Sequence, residues 1–285
     1  NTKQISNITG LGEAFEKNKI ITGIVKLLFK ISLSSCDRVF FQNQEDMDTF
    51  INYGIVNPDV AVRINGSGTD LVRFKPMKVK KFTEIKMSFL TLGRIIPQKG
   101  YYDIISLLEQ YPKILQIAEF HILGIPDFSR KTSMKLYEKL KQMAANNTIF
   151  LHAPVDDVEN IINRAHCLLL PSTYNEGVPR SLIEGLACGL PIITTNWKGC
   201  RDTVINGKNG YLVQPGSIND LSLKVTRFCS LTSDERTQFA KESRKLAERL
   251  FNENDIINRY LELCEDFKSD TIINSHAPLR TSVLN

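Results

Sequence analysis

Two glutamates, Glu176 and Glu184, are spaced eight residues apart in the stretch PSTYNEGVPRSLIEGLACGLP, from Pro171 to Pro191. The apolar run before them, Cys167-Leu-Leu-Leu170, reads as a buried parallel strand that stops at Pro171. Pro179 suits the first turn of a helix, and Gly189 with Pro191 just beyond it closes that helix near Cys188. Glu176 is therefore expected in the loop before the helix, with Glu184 about five residues, or ~7 Å, along it. Helical side chains lean toward the N-terminus, so both carboxylates can face one ligand there. The same end offers unpaired N–H groups and the positive end of the helix dipole, which suit a phosphate. Two acceptors for sugar hydroxyls beside an anion-binding helix end describe a nucleotide-sugar site.

A second pair has complementary chemistry. Gly93-Arg94 leaves the end of a strand expected over 86–92, and Lys99-Gly100 opens the next helix. A guanidinium fork and an ammonium point charge so placed can neutralise a diphosphate. In isolation each of these features is commonplace: two acids on a helix are usually solvated, and a Gly-Arg turn with a nearby lysine is ordinary. Other chemistries are poorly served. His121, His152, His166 and His276 lack the spacing of a metal site, and no metal is expected. The segments GLGEAF and GSGTDL both miss the third glycine of a dinucleotide-binding turn, so no nicotinamide cofactor is expected.

The elements that must position these residues alternate regularly. Strands are expected over 86–92, 119–123, 148–151, 167–170, 191–194 and 211–213, with helices over 101–111, 129–144, 155–164 and 179–188 between most of them. Helices over 218–229, 234–249 and 252–266 follow. This is the pattern of an α/β, right-handed, doubly wound parallel sheet, which binds ligands beyond the carboxyl ends of its strands. The opening residues give only three strand candidates, over 4–8, 37–41 and 60–64, with helices over 19–33 and 44–52. The helix KIITGIVKLLFKISL sets Lys19, Lys26 and Lys30 beside a wide apolar face. Two readings stand open for it: a core-packed helix with solvated lysines, or a helix lying on an anionic membrane surface.

The chain has 285 residues, 42% hydrophobic and 24% charged, with a net charge of +5. That is enough for one large domain or two smaller ones, and too mild a charge for a dedicated nucleic-acid binder. The six cysteines form no Cys-x2-Cys pair and sit mostly in apolar segments, which points to reduced thiols and a cytoplasmic location. On that reading the sequons at Asn7, Asn65 and Asn146 are chance matches. There is no initiator Met, no signal peptide and no run of the ~20 apolar residues that a spanning helix needs.

The stretch NEGVPRSLIEGLACGLPIITTNWKGCRDTVINGKNGYLV resembles the signature of retaining glycosyltransferases of family 4, with Glu176 and Glu184 as their Glu-x7-Glu pair. Gly93-Arg94 and Lys99-Gly100 resemble that family's diphosphate clamp, and Asn65–Asp70 its interdomain hinge. The resemblance implies a GT-B fold with two Rossmann-like domains. Residues 1–70 would close the acceptor-side domain, whose beginning is missing, and 71–84 would link it to a donor-binding domain over 85–250. Residues 251–267 would cross back as a helix, and 268–285 form a disordered tail. Relatives often carry a histidine where this chain has Ile8-Thr9-Gly10, so no catalytic histidine is carried over.

The implied activity is that of a retaining, metal-independent hexosyltransferase. It would use a nucleotide diphosphate sugar, with uridine as the implied nucleoside, as substrate and no cofactor. Arg94 and Lys99 would stabilise the departing diphosphate, Glu176 would hold the sugar hydroxyls and Glu184 the ribose. Backbone groups of Gly177, Val178, Pro179 and Arg180 would assist, with Gly93 shaping the turn and Pro154-Val155 lying near the base. Segments such as TGLGEAF and GCRDTV are similar to capsule and O-antigen enzymes acting on glycan or polyprenyl-diphosphate-linked acceptors at the inner membrane face. Two alternatives remain open: a nucleotide-sugar-binding module without activity, and a GT-B synthase with a soluble acceptor.

Overall fold

The computed structural model describes residues 3–15, 19–77 and 85–262. Part of the expected linker (78–84), the end of the last helix and the tail from 268 lie outside them.

The first sheet contains β1 (Ile5–Ile8), β2 (Arg38–Phe41) and β3 (Ala61–Arg63), all parallel and in that spatial order. The connecting helices are α1 (Lys19–Leu33) and α2 (Gln44–Asn52). Helix α2 starts where it does because Asn43 Oδ1 accepts the Asp46 N–H at 2.8 Å, while Glu45 and Asp46 suit the positive helix end.

Among the described residues, helix α1 keeps most of its apolar face exposed. Leu33 alone of its residues is buried, and Phe29 is half-buried against Phe15 and Phe50. Ile20, Ile24, Leu27, Leu28 and Ile31 remain 55–71% exposed. No helix among the described residues is long and apolar enough to cross a membrane.

The second sheet holds β4 (Met87–Leu92), β5 (Ala118–Leu123), β6 (Phe150–His152), β7 (Cys167–Leu170), β8 (Ile192–Thr195) and β9 (Gly210–Val213). Its spatial order is β6-β5-β4-β7-β8-β9, parallel throughout. Helices α3 (Tyr101–Gln110), α4 (Lys131–Ala145), α5 (Val158–Arg164), α6 (Arg180–Ala187), α7 (Ile218–Ser230) and α8 (Ser233–Leu250) complete it. Helix α8 opens on a reciprocal cap, Thr232 with Glu235.

Both sheet faces are covered, which is why the strands read as unbroken apolar runs rather than alternating ones. Phe89, Cys167 and Leu169 join the core that contains α3, α4 and α7 residues, whereas Leu90, Leu168 and Leu170 join the core built with α6 and α8. The strand order reverses between β4 and β7. A crevice opens at such a switch point beyond the carboxyl ends of the strands.

The chain then returns to the first sheet. Thr69 N–H donates to Phe251 O at 2.9 Å and Glu253 N–H to Thr69 O at 3.2 Å. The residues over 253–262 are helical, as expected for a crossover segment, and set Ile256 and Tyr260 on Phe40, with the two rings 4.3 Å apart.

Candidate active site

The segments that follow β4 and β7 meet at the switch point, and both carry the charged residues singled out by spacing. Arg94 leaves β4 exposed. Lys99 ends a 3-10 turn, Pro97–Lys99, one residue before α3, so it precedes that helix rather than beginning it. Lys99 is 6% exposed, and its ammonium pairs with the carboxylate of Glu176. Both cations lie near the Tyr174 ring, the Arg94 guanidinium 5.8 Å and the Lys99 ammonium 5.9 Å from its centroid. Such contacts favour a cation held beside the ring face.

Helix α6 runs from Arg180 to Ala187, with Pro179 at the N-cap rather than inside the first turn. Its inner face anchors it firmly, because Leu182, Ile183 and Leu186 are fully buried, about 2 kcal/mol of apolar transfer each. Glu184 lies one turn inside. Its carboxylate accepts from Arg180 Nε at 3.0 Å, and burial pushes its pKa above the ordinary carboxylate range despite that partner and Arg73.

The expected row of free helix amides is corrected at two positions. Gly177 N–H already donates to Thr9 O at 2.6 Å, and Pro179 has no N–H to offer. The first of these bonds belongs to a contact that sequence spacing does not reveal. The loop after β1 packs backbone-to-backbone against the loop after β7, and Gly12 N–H donates to Asn175 O at 2.8 Å. Only glycine permits this approach. A Cβ on Gly10, at φ 139°, would stand 2.5 Å from Glu176 Cα, and one on Gly177 would stand 2.1 Å from Gln42 Oε1.

A cleft of about 400 Å³ opens between the two walls. From the second sheet, Arg94, Tyr174, Glu176, Gly177, Val178 and Arg180 line it; Thr9, Gly10, Gln42 and Ser67 face them from the first-sheet side. Lys99 reaches the cleft through Glu176. Gly93, at the end of β4, accepts the buried Tyr101 hydroxyl at 2.8 Å. Pro154 and Val155 lie in the exposed loop after β6 and are not among the lining residues. Tyr174, Gln42, Thr9 and Ser67 were not singled out from the sequence. The available signal for Gln42 was a polar residue directly after the apolar strand Arg38–Phe41, at the carboxyl end where ligands bind.

Ion pairs join the walls behind the cleft. Lys198 Nζ lies 2.9 Å from Asp46, which is 1% exposed and also accepts from Asn43 Nδ2 at 3.0 Å. Arg201–Glu45 at 3.4 Å and Arg63–Asp202 at 3.6 Å continue the row. Cys200 is buried beside the cleft, and its thiol is pushed up to about 11 by burial, so it stays protonated and is no nucleophile. His121 Nδ1 and His152 Nε2 lie 3.0 Å apart at the edge of the second sheet. No cluster of three or more His, Cys, Asp or Glu suited to a metal ion occurs among the described residues.

The arrangement can hold an anion at the cations of Arg94 and Lys99 and present the Glu176 carboxylate to hydroxyl groups, whereas Glu184, paired with Arg180, is not among the lining residues. Residues 72–246 match the family model described as Glycosyl transferases group 1. The putative colanic acid biosynthesis glycosyltransferase WcaL of Escherichia coli is 26% identical over 211 residues, which are 72% of this chain and 50% of that protein. A Campylobacter jejuni enzyme, N,N'-diacetylbacillosaminyl-diphospho-undecaprenol alpha-1,3-N-acetylgalactosaminyltransferase, is 27% identical over 278 residues, 90% of this chain and 68% of the enzyme. The chain thus spans between half and about two thirds of these relatives. The crystal structure of Anabaena Alr3699/HepE in complex with UDP and glucose superposes with a TM-score of 0.78 at 17% identity, over 92% of this chain and 71% of that one.

Proposed function

The chain belongs to the group 1 glycosyl transferases, with the GT-B fold, and we propose that it moves a sugar from a uridine diphosphate sugar to a glycan or polyprenyl-diphosphate-linked acceptor in surface polysaccharide biosynthesis. The observation that carries the reading is the meeting of Arg94, Lys99 and Glu176 at the switch point of a parallel sheet, in a cleft walled by both sheets.

Arg94 and Lys99 take the diphosphate. As the bond from the anomeric carbon to the diphosphate oxygen breaks, negative charge grows on that oxygen, and fixed cations there lower the barrier. The acceptor hydroxyl oxygen bonds to the anomeric carbon and its proton is released. Glu176 orients the sugar hydroxyls, Glu184 the ribose, and the amides of Val178 and Arg180 serve remaining oxygens. In this proposal the anomeric configuration is retained and no metal takes part, because the two cations supply the charge a metal would otherwise bring. In this proposal the base extends from the cleft toward the exposed loop of Pro154 and Val155.

The acceptor reading is supported by the names of relatives. One acts on a diphospho-undecaprenol-linked sugar and another is named for colanic acid biosynthesis. Helix α1, with Lys19, Lys26 and Lys30 beside exposed isoleucines and leucines, fits an anionic membrane surface at its cytoplasmic face. The test is transfer of labelled sugar from UDP-sugars to a polyprenyl-diphosphate-linked acceptor. Product that disappears in Arg94→Ala supports the reading, and UDP-sugars that are bound but never transferred would reduce the chain to a binding module.

A further inference from the structure

Gln42 directly follows β2, at the carboxyl end of that strand, and lines the cleft opposite Arg94 and Glu176. It is 6% exposed, so more than nine-tenths of it is buried. Two other amides near this end of the sheets are engaged within the protein: Asn43 Oδ1 and Nδ2 hold Asp46, and Asn175 Oδ1 accepts from Trp197 Nε1 at 3.2 Å. The Gln42 side-chain amide makes no hydrogen bond among the described residues. The amide atoms are not among the buried unpaired groups, so they reach the open space of the cleft, and an amide that faces a cleft finds its partner in what fills the cleft.

We infer that Gln42 is a specificity residue that hydrogen-bonds a ring substituent, a hydroxyl or an acetamido group, of the sugar being transferred. The inference rests on the donor reading proposed above. The place of the amide selects the sugar over the rest of the donor. Gln42 Oε1 packs on Gly177, so closely that a Cβ there would stand 2.1 Å from it, and Gly177 directly follows Glu176. The cations that suit the diphosphate are on the opposite wall, and a neutral amide does not compete with them for phosphate. An amide also donates and accepts at once, which matches hydroxyl and acetamido groups alike. Gln42 thereby gives the first-sheet wall a polar contact with the sugar at a place where Ile8-Thr9-Gly10 supplies no histidine.

Calorimetric titration of the wild type, Gln42→Ala and Gln42→Leu with UDP and with UDP-glucose, UDP-galactose, UDP-GlcNAc and UDP-GalNAc tests this. The expected result is unchanged UDP affinity, within about twofold, while the sugar nucleotide the wild type binds best loses about tenfold in both variants, the scale of one hydrogen bond lost with its partner left unsatisfied. The order of preference among the four should flatten. Thermal unfolding separates this from a structural role: Gln42→Leu should melt no lower than the wild type, since no internal bond is lost. Unchanged sugar-nucleotide affinities, an equal loss for UDP and UDP-sugars, or a lowered midpoint with unchanged selectivity overturns the inference. Failure of the wild type to bind UDP brings down the donor reading itself, and this inference with it.

Discussion

Lys99 and Glu176 are each other's counter-ion: the ammonium of a lysine that is 6% exposed faces the carboxylate directly. Residues separated in the chain by α3, β5, α4, β6, α5 and β7 are thus brought together at the switch point. A donor diphosphate and Glu176 would compete for the same ammonium, so binding exchanges one anion for another and releases the carboxylate toward the sugar. Glu176→Gln should therefore keep or slightly raise UDP affinity while reducing sugar transfer by at least tenfold. Parallel loss of both, measured by calorimetry and a transfer assay, would contradict a sugar-facing role.

The pair Asp46–Lys198 is expected to hold the two walls together. Asp46 is almost fully buried and Lys198 is half-buried, which makes the pair costly to break on one side. Asp46→Ala should lower unfolding free energy by about 3 kcal/mol, because an uncompensated ammonium is left behind. Asp46→Leu combined with Lys198→Met should recover part of that loss. Urea unfolding of the three variants checks it, and equal stability of single and double variants would show that the pair does not couple.

Glu184 sets a pH dependence. Burial raises its carboxyl above the ordinary 4.5. Between that value and the raised one, the folded chain keeps a proton that the unfolded chain has released. Stability contributed there is full below 4.5 and lost as pH rises through the raised value. Glu184→Gln cannot titrate, so its stability relative to the wild type should improve as pH rises from 4.5 and then level off. Urea midpoints at a series of pH values would show this, and a constant difference across the series would contradict it.

Helix α1 offers a prediction about surfaces. The double substitution Ile24→Asp with Leu28→Asp alters two residues that are 55% and 60% exposed, so folding should be unaffected. Wild-type chain should sediment with phosphatidylglycerol vesicles, less so as salt rises, and the variant should stay in the supernatant. Equal sedimentation of both proteins would rule out α1 as the contact.

Much of this molecule was legible in its sequence because its physics is local or periodic. Leu168–Leu170 reads as a strand since both its faces are buried, and α6 is framed by Pro179 and Gly189. Arg94, Glu176 and Glu184 are marked by where strands end and helices begin. What stayed hidden depends on chain segments that meet only after folding. Nothing near Thr9 announces that its carbonyl takes the Gly177 amide, and nothing near Lys99 announces Glu176 as its partner. Gln42 looks like an ordinary loop residue until its place in the cleft lining, packed on Gly177, is seen. For α1, periodicity reveals an apolar face but not what that face touches.

The central claim is that the cleft between the two walls grips a nucleoside diphosphate through Arg94. Calorimetric titration of the wild type and of Arg94→Ala with UDP tests it most directly. The expected result is one saturable site in the wild type, weakened by about 1–3 kcal/mol in the variant, the scale for losing a charge-assisted partner. A wild-type chain that takes up no UDP at millimolar concentration, or an Arg94→Ala variant that binds UDP as tightly as the wild type, would contradict it.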